Sequence, residues 1–270
     1  MKVLLTGAGG ALGSVVSLCL TEAGHDVVPH DRQNGDLRSL PHVREVVDGV
    51  SAVVHAAAIP SPKDGPDDEI FQNNVQTTYN VLDTAGRFGV PRIVYVSSAS
   101  AVGLAWSELG VSPVSVPVTE DHPYVGEDVY GLSKQIGETI AAATSRRWGA
   151  TVVSLRFPFI GSGERLLSHL SWVHADHGVD RGGLWAWLDM RDAARAVLAA
   201  LTASLTGHHI VNVAAPDTTA LIPTAELLRT YHPGVRVDRE LGEFESLYAR
   251  DRSRSLLGFE PLYGWRSLHG

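Results

Sequence analysis

The first 24 residues of the chain form the pattern that most restricts its fold. Residues Lys2–Thr6 are typical of a short β-strand, and a cluster of glycines follows at once. From Leu12 to Ala23, apolar residues recur at the spacing of one helix face, until Gly24 ends the run. A strand, a tight glycine turn and a helix are therefore expected in direct succession.

This alternation of strand and helix continues along the chain. The strand-like runs are apolar throughout, which is typical of a parallel sheet covered by helices on both faces. We therefore predict an α/β fold, a Rossmann-type doubly wound parallel sheet with a small C-terminal cap. The further strands are expected at 25–31, 52–55, 92–97 and 151–156, and the helices at 40–47, 70–88 and 127–148.

The regular alternation loosens beyond the last of these strands, and the change predicts how the chain is divided. Residues 1–156 are expected to form the core, and residues 157–270 a mixed region. Within that region, about 184–213 is expected to help complete the sheet, through the segments Met190–Leu201 and Ile210–Val213. The rest is predicted to form the cap.

Composition excludes several classes of protein. The net charge is −8 and no basic run occurs, so a nucleic-acid-binding surface is not expected. No apolar run reaches the roughly 18 residues of a membrane-spanning helix, and glycines interrupt the start as they would not in a secretion signal. The single cysteine, Cys19, is predicted to be a buried core thiol, which favours a soluble cytoplasmic protein. The stretches 60–66 and 109–123 are predicted to be surface loops.

Three glycines, Gly7, Gly10 and Gly13, have the spacing of a turn that approaches a phosphate closely. A side chain at the first two would hold the backbone away from a ligand, and the third lets the helix lie close to the strand. The free N–H groups and the dipole of a helix N-terminus favour the pyrophosphate of a dinucleotide. A glycine-rich turn without a ligand is the alternative interpretation.

An acidic residue supports the dinucleotide interpretation. Asp31 lies at the end of the second expected strand, roughly 20 residues beyond the glycine turn. A carboxylate at this place binds the ribose hydroxyls and repels a 2′-phosphate, which favours NAD over NADP. Arg32 keeps NADP open as a cofactor, because an arginine here can bind that phosphate. Alternatively, Asp31 only begins a turn.

A second set of polar residues follows the strand expected at 92–97. Tyr130 and Lys134 lie one turn apart on the same face of a predicted helix. An ammonium beside a phenol favours the phenolate, so that a tyrosine can act as a general base or acid. Ser97–Ser100 lie at the end of the strand, where parallel sheets bind ligands, and a hydroxyl there can hold a substrate oxygen. On a helix without these serines, the same pair would more often be a surface feature.

Several stretches share one further pattern: TGAGGALG (6–13), GDL (35–37), VVHAAA (53–58), NNVQTTYNVLDTA (73–85), VYVSSASAVG (94–103), YGLSK (130–134), LRFPFIG (155–161) and WLDMRDAARAV (187–197). Together with Asp31 they resemble an extended short-chain dehydrogenase/reductase of the NAD-dependent epimerase/dehydratase family. The resemblance covers most of the first 200 residues.

This resemblance implies an NAD-binding core over residues 1–156 and a catalytic triad of Ser98, Tyr130 and Lys134. The serine would steady the substrate oxygen, the tyrosine would be the acid/base, and the lysine would bind the nicotinamide ribose and lower the pKa of the tyrosine. The resemblance also implies cofactor contacts by Gly7, Gly9, Gly10, Ala11, Leu12, Gly13, Asp31, Arg32, Asp36, Leu37, His55, Ala56, Ala57, Ala58, Asn74, Val96, Tyr130, Lys134, Phe157, Phe159 and Ile160.

Two departures from the family pattern concern the substrate. Ala101-Val102-Gly103 stands where members usually have an aromatic residue that often touches substrate. The C-terminal part is also short, whereas relatives that bind nucleotide-diphosphate sugars generally have some tens of residues more. A compact member resembles those that oxidise free sugars or sugar acids, the uronate dehydrogenase type, or those that reduce small carbonyls.

The segment 165–183 lies where the family places substrate contacts. Arg165, His169 and Trp172 are therefore substrate candidates, beside Ser98 and Ser100. They would suit an oxygen-rich or anionic substrate, and a solvated polar helix is the alternative interpretation.

A metal site is not expected in this segment. His169, His174 and His177 lack the regular spacing of zinc ligands, and the chemistry needs no metal. Further along, Asp189 and Asp192 are expected to cap and begin the next helix.

The activity predicted from the sequence is that of an NAD-dependent oxidoreductase acting on a sugar-like or other secondary alcohol or carbonyl. A sugar epimerase or dehydratase without net redox, and a non-catalytic nucleotide-binding module, are the alternatives. The expected partners are a small-molecule substrate and a second copy of the chain, paired through the two long helices. The apolar residues on these helices would suit either a homodimer interface or packing on the sheet: Phe71, Val75, Leu82, Ile136 and Ile140.

Overall fold

The computed structural model describes residues 1–266, in which strands and helices alternate along most of the chain. In chain order the strands are β1 Lys2–Thr6, β2 Asp26–His30, β3 Ala52–His55, β4 Arg92–Ser98, β5 Ser115–Val116, β6 Thr151–Phe157, β7 Phe159–Ile160, β8 Trp187–Leu188, β9 His208–Asn212 and β10 Arg236–Val237. The helices are α1 Ala11–Glu22, α2 Leu40–Val47, α3 Asp67–Arg87, α4 Val129–Trp148, α5 Gly163–Ala175, α6 Met190–Thr202, α7 Thr224–Tyr231 and α8 Asp251–Leu257.

Six strands form one parallel sheet in the order β2-β1-β3-β4-β6-β9. The chain leaves β1 toward β2 and then returns to its other side with β3, so the direction of winding reverses between β1 and β3. In open parallel sheets, ligands bind beyond the carboxyl ends of the strands at such a reversal. The predicted α/β, doubly wound fold is confirmed.

The side chains of β1 show how the sheet is covered on both faces. Val3 and Leu5 point into a core formed with α1 and α6, and Leu4 points into a second core formed with α2, α3 and α4. Successive side chains of a strand point to opposite faces, so a strand covered on both faces must be apolar at every position. This requirement explains the unbroken apolar runs of the sequence.

The helix that carries Tyr130 and Lys134 has well-defined ends. The Asp128 side chain accepts a hydrogen bond from the backbone N–H of Gly131 at 2.6 Å, which caps the N-terminus of α4. Gly149 ends the helix in the left-handed conformation, with a φ of +74°. These two caps fix where α4 begins and ends.

The C-terminal region contributes both to the sheet and to a cap. Strand β9 pairs with β6 and completes the sheet, whereas residues 190–201, also expected to join the sheet, lie in helix α6, which packs in the first core. A third apolar core forms the cap around the fully buried Trp185, with Leu104, Val118 and Tyr248. The short pairs β5–β10 and β7–β8 connect this cap to the rest of the chain.

Two expectations from the sequence differ from the structure. Segment 109–123 is not simply a surface loop, because Val116 and Val118 are fully buried under the C-terminal cap and Glu120 is buried as well. Cys19 is half-buried at the edge of the first core rather than enclosed in it. Within residues 1–266, no helix combines the length and apolar character needed to cross a membrane.

Candidate active site

A cavity of about 1550 Å³ opens beyond the carboxyl ends of the central strands. Its wall includes residues that directly follow three strands: Gly7 after β1, Ala56 after β3 and Pro158 after β6. The sequence therefore places its glycine turn and its serines at one edge of the sheet, where a ligand can contact both.

The glycine turn at one end of the cavity has little room for side chains. Gly7 has a φ of +72°, and a Cβ built on it would lie 2.8 Å from the backbone nitrogen of Ala57. A Cβ on Gly13 would overlap the carbonyl oxygen of Gly7. Helix α1 begins after Gly10, which has no side chain to cap the first N–H groups. These groups are thus free to bind a pyrophosphate, and the turn fits a dinucleotide.

Asp31 is held beside this turn. Its Oδ2 accepts a hydrogen bond from the backbone N–H of Gly9 at 2.7 Å, and its Oδ1 accepts one from Arg32 at 2.6 Å. Asp31 therefore begins a short 3-10 turn, as one sequence interpretation held, and also lines the cavity with Arg32. A carboxylate oxygen accepts more than one hydrogen bond, so ribose hydroxyls can still bind it.

The predicted triad converges on the same cavity. Ser98 ends β4, and Tyr130 and Lys134 lie one turn apart on α4; all three are buried and line the cavity. The Lys134 ammonium donates to the carbonyl oxygen of Val96 at 2.9 Å and lies 5.8 Å from the centroid of the Tyr130 ring. The Ser98 hydroxyl oxygen accepts a hydrogen bond from the backbone of Ser100 at 3.0 Å.

Burial dominates the electrostatics of this triad. It raises the pKa of Tyr130 to about 12, and the neighbouring Ser98 hydroxyl opposes the rise. It also lowers the pKa of Lys134 to about 8, against the attraction of Glu138. The sequence predicted that Lys134 would lower the pKa of Tyr130; in the structure, loss of solvent around the phenol outweighs any such effect. Near neutral pH the site therefore holds a phenol and an ammonium.

The comparison with protein families decides which family this arrangement belongs to. A family model described as the NAD dependent epimerase/dehydratase family matches residues 3–214. The chain belongs to this family. It is thus a member of an NAD-dependent enzyme family, and NAD is its cofactor.

Relatives of this family member have more than one activity. A UDP-glucose 4-epimerase of Corynebacterium glutamicum is 27% identical and aligns with 97% of this chain and 91% of its own length. A uronate dehydrogenase of Pseudomonas syringae is 28% identical, over 78% of this chain and 73% of its own length. A crystal structure of a short-chain dehydrogenase/reductase superfamily protein from Agrobacterium tumefaciens, with bound NAD, shares the fold. Its TM-score is 0.74 at 23% identity, covering 98% and 93% of the two chains.

Most of the cofactor residues that the family resemblance implied lie on the cavity wall. The residues found there are Gly7, Gly10, Ala11, Leu12, Gly13, Asp31, Arg32, Asp36, Leu37, Ala56, Ala57, Ala58, Val96, Tyr130, Lys134, Phe157, Phe159 and Ile160.

Three of the implied cofactor residues differ, because their polar groups are engaged elsewhere. His55 is fully buried between the hydroxyls of Thr6 and Thr78, at 2.8 and 3.2 Å. Asn74 is bound to the backbone of Ile59 at 2.8 and 3.0 Å, and Gly9 to Asp31, as described above. Within residues 1–266, none of the three is among the residues that line the cavity.

A buried ion pair supports the helix behind the triad. Arg156 on β6 and Glu138 on α4 approach to 2.7 Å, and the Ser97 hydroxyl donates to the same carboxylate at 2.7 Å. The Ser97 hydroxyl is thus engaged with Glu138, while the Ser98 hydroxyl oxygen accepts a hydrogen bond from Ser100. Glu138 lies one turn beyond Lys134, so the pair also holds a negative charge close to the ammonium.

The substrate candidates lie on the cavity wall, which they share with the cofactor residues. The His169 ring stacks on Phe159, with centroids 3.8 Å apart and planes at 11°. The Arg165 guanidinium lies 5.1 Å from the centroid of the same Phe159 ring, and its Nε donates to the carbonyl of Ile160 at 2.9 Å. Trp172 is half exposed, and Ser100 is buried beside Ser98.

Sequence reasoning missed other residues of the wall. Lys63 and Trp106 face each other, with the ammonium 5.2 Å from the centroid of the ring, and both line the cavity. Asp180 and Tyr248, from the C-terminal region, line it as well. These residues carry no local motif, and their positions depend on how distant loops fold over the sheet. The aromatic Trp106, between the strand expected at 92–97 and the helix expected at 127–148, was the one available signal.

The acidic residues near α6 have the roles expected for them. Asp189 caps the helix by accepting a hydrogen bond from the N–H of Arg191 at 2.8 Å. Asp192, in the first turn, accepts from the backbone of Leu262 and Tyr263 at 2.9 Å. Among residues 1–266, no group of three or more His, Cys, Asp or Glu side chains is placed to hold a metal ion.

Proposed function

We propose that the protein is an NAD-dependent dehydrogenase that interconverts a secondary alcohol and a carbonyl on a small sugar-like molecule. The observation that carries this proposal is the convergence of Ser98, Tyr130 and Lys134 on the cavity that also contains the glycine turn. The cofactor end and the proton-transfer end of the reaction therefore share one enclosed space.

Each residue of the triad has a defined part in this reaction. The Tyr130 oxygen accepts the hydroxyl proton of the alcohol, while the hydrogen on the same carbon leaves with its electron pair. Bound NAD supplies the acceptor for that hydride. The Ser98 hydroxyl donates to the substrate oxygen, and Lys134, fixed by Val96, keeps a positive charge near the phenol. In the reverse direction, Tyr130 returns the proton.

The pKa of Tyr130, raised by burial to about 12, predicts different pH profiles for the two directions. Carbonyl reduction uses the phenol that is already present. Alcohol oxidation needs the phenolate, so its rate is expected to rise with pH until Lys134, whose pKa burial lowers to about 8, loses its charge.

A sugar epimerase is the second candidate function. It is favoured by the relative that aligns with 97% of this chain, a UDP-glucose 4-epimerase. The triad would then take and return the hydroxyl proton, while NAD would accept the hydride and give it back to the same carbon, so NAD would not be consumed. The uronate dehydrogenase relative, at 28% identity, favours the dehydrogenase.

A substrate screen with a spectroscopic readout separates the two candidates. Free aldoses, uronates and UDP-sugars are incubated with the enzyme and NAD, and NADH is followed by absorbance while products are separated by chromatography. Stoichiometric NADH is expected with a free sugar. Product formation without NADH would support the epimerase instead.

Tyr130→Phe tests the mechanism itself. It is expected to abolish turnover and keep NAD binding, with Tyr231→Phe, a change in the cap outside the cavity wall, as the matched control. Full activity of Tyr130→Phe would contradict the proposal.

We also propose that two copies pair through α3 and α4. Leu82 packs on the sheet, whereas Phe71, Tyr79 and Leu132 are exposed on these helices. Light scattering should give a mass near twice 28.9 kDa. A mass near that of a single chain would contradict the proposed dimer.

A further inference from the structure

Three polar side chains of the C-terminal region lie on the cavity wall with polar atoms that lack hydrogen bonds. These atoms are His169 Nε2, Asp180 Oδ2 and Tyr248 Oη; each is buried, and none has a hydrogen-bond partner within residues 1–266. Most buried polar groups of folded proteins are hydrogen-bonded, and an unpaired one destabilises the fold. Three of them on one cavity wall therefore need an explanation.

His169 and Asp180 face each other without closing a hydrogen bond. His169 Nε2 lies 3.6 Å from Asp180 Oδ2, and the side chains are 9% and 14% exposed. A charge-assisted hydrogen bond is usually about 2.7–2.9 Å long. The His169 ring cannot easily move closer, because it is stacked flat on Phe159. At this separation both atoms keep unused hydrogen-bonding capacity.

Tyr248 belongs to the cap and is fixed by its backbone. It pairs with Val118 in an isolated β-bridge, and the residue is 3% exposed. Burial raises the pKa of its hydroxyl, Arg156 opposes that rise and Asp180 adds to it, so the phenol is a hydrogen-bond donor across the ordinary pH range. Tyr248 and Asp180 line the same cavity.

The charge of Asp180 determines which oxygen-rich ligands this part of the cavity wall favours. Within residues 1–266, the ion pair formed by Asp180 is with His169 and not with an arginine or lysine. Arg165, the nearby guanidinium on the wall, is exposed and donates to a backbone carbonyl. A carboxylate without a strong cation beside it repels a second anion but accepts hydrogen bonds from hydroxyl groups.

We infer that His169, Asp180 and Tyr248 form a subsite that binds the hydroxyl groups of a neutral polyhydroxylated substrate, a free sugar or polyol rather than a sugar acid or a nucleotide-diphosphate sugar. This inference rests on the proposed function, because it assigns the substrate class of the same cavity. A sugar hydroxyl both donates and accepts, so it can donate to Asp180 and accept from Tyr248 or His169. The triad requires only one carbon that bears a hydroxyl group. The subsite would therefore supply the specificity for the remaining hydroxyl groups of the substrate.

Tyr248→Phe is the first test, because it removes only the unpaired oxygen. With the neutral sugar that the enzyme uses best, KM should rise about tenfold and kcat should stay unchanged, which is the loss of one hydrogen bond made equally in ground and transition states. The melting temperature should not fall, because no internal hydrogen bond is lost. Tyr231→Phe, in the same apolar cluster but off the cavity wall, should leave KM unchanged.

Monodeoxy analogues of that sugar sharpen this test. For one of them, wild type and Tyr248→Phe should have equal kcat/KM, because the hydroxyl that Tyr248 binds is missing. Equal KM values for wild type and Tyr248→Phe with every sugar would overturn the inference, as would a tenfold loss that all deoxy analogues share.

Asp180→Asn tests the part played by charge. It keeps the shape of the side chain and removes its negative charge, so the ratio of kcat/KM for D-glucuronate to that for D-glucose should rise at least tenfold. A wild-type preference for uronates or UDP-sugars, or an unchanged ratio in Asp180→Asn, would overturn the inference.

A binding experiment separates failure of this inference from failure of the proposed function. The NAD-loaded enzyme is titrated with neutral sugars and with uronates, and binding is followed by calorimetry. Tyr248-dependent binding of neutral sugars without NADH formation would leave the subsite standing and reject the dehydrogenase. NADH formation from uronates, independent of Tyr248, would do the opposite.

Discussion

The two walls of the cavity differ in how their polar groups are satisfied. On the wall built by the first 156 residues, Asp31 binds the glycine turn, Lys134 binds Val96, and Ser98 accepts from Ser100. On the wall built by the C-terminal region, polar atoms of His169, Asp180 and Tyr248 lack hydrogen bonds. The first wall is already organised by internal hydrogen bonds, whereas in the subsite proposed above a ligand would complete the second. A cofactor site can be rigid, whereas a substrate site must bind molecules with some arrangements of hydroxyl groups and reject others.

The largest effect is expected at the organised wall, from Lys134→Met. Loss of the ammonium beside Tyr130 should lower kcat/KM by about 10³-fold, within the usual range for acid–base groups. Steady-state kinetics measure the loss, and Lys2→Met on the far end of β1 is the matched control. Retention of kcat/KM within threefold would contradict the role given to Lys134.

The same variant has a distinct effect on stability. Burial lowers the pKa of Lys134 to about 8 from an ordinary value of 10.5, so between these values the unfolded chain binds the extra proton and the wild type gains stability as pH rises. Below pH 8 the buried ammonium destabilises the fold in full. Urea unfolding at pH 7 and 9.5 should show that this pH-dependent gain disappears in Lys134→Met.

Glu138→Gln should have the next largest effect, on stability. It leaves the buried Arg156 charge without its partner, which commonly costs about 3–5 kcal/mol of unfolding free energy. Urea unfolding measures the loss, and the double variant Glu138→Leu with Arg156→Met should recover much of it, because both charges are then absent. A loss below about 1 kcal/mol would contradict the importance of this pair.

Glu138→Gln should also change the pH profile of the enzyme. Glu138 raises the pKa of Lys134 against the larger downward effect of burial, so its neutralisation lowers that pKa further. The alkaline loss of oxidation activity should therefore begin at a lower pH than in the wild type. An unchanged alkaline limb of the pH–rate profile would mean that the Arg156–Glu138 ion pair does not affect the oxidation reaction.

Asp31→Asn should have a smaller effect, on the choice of cofactor. Losing the charge beside the glycine turn should weaken NAD binding about tenfold, as the loss of a charged hydrogen-bond acceptor does. The difference in affinity between NAD and NADP should become smaller, because the carboxylate no longer repels the 2′-phosphate. Fluorescence titration with both dinucleotides measures the ratio, and Asp26→Asn at the other end of β2 is the control. An unchanged ratio would assign the discrimination to another group.

The smallest effect is expected at the ligand-completed wall, from Trp172→Ala. This ring is 50% exposed on the cavity, so its removal should raise KM a few-fold and leave NAD affinity and stability unchanged. Leu167→Ala, an exposed change on the same helix, is the control. A loss of NAD affinity in Trp172→Ala would contradict the assignment of one wall to the cofactor and the other to the substrate.

Local pattern was sufficient for the parts of the site that depend on short stretches of chain. The strands Lys2–Thr6 and Ala52–His55 and the helix Leu40–Val47 have the bounds that the sequence predicted. The Tyr130–Lys134 pair lies on one face of α4 as expected, because the spacing of four residues on a helix needs no tertiary information.

The sequence by itself determined the α/β fold, the glycine turn at β1 and the placement of Tyr130 and Lys134 on one helix face, because periodicity and turn chemistry act over a few residues. Tertiary structure alone decided that Asp180 and Tyr248 line the same cavity and that His55 is hydrogen-bonded to Thr6 and Thr78. It also decided that burial raises the pKa of Tyr130. Burial and pairing between distant segments depend on how the cap folds over the sheet, and no local spacing encodes that contact.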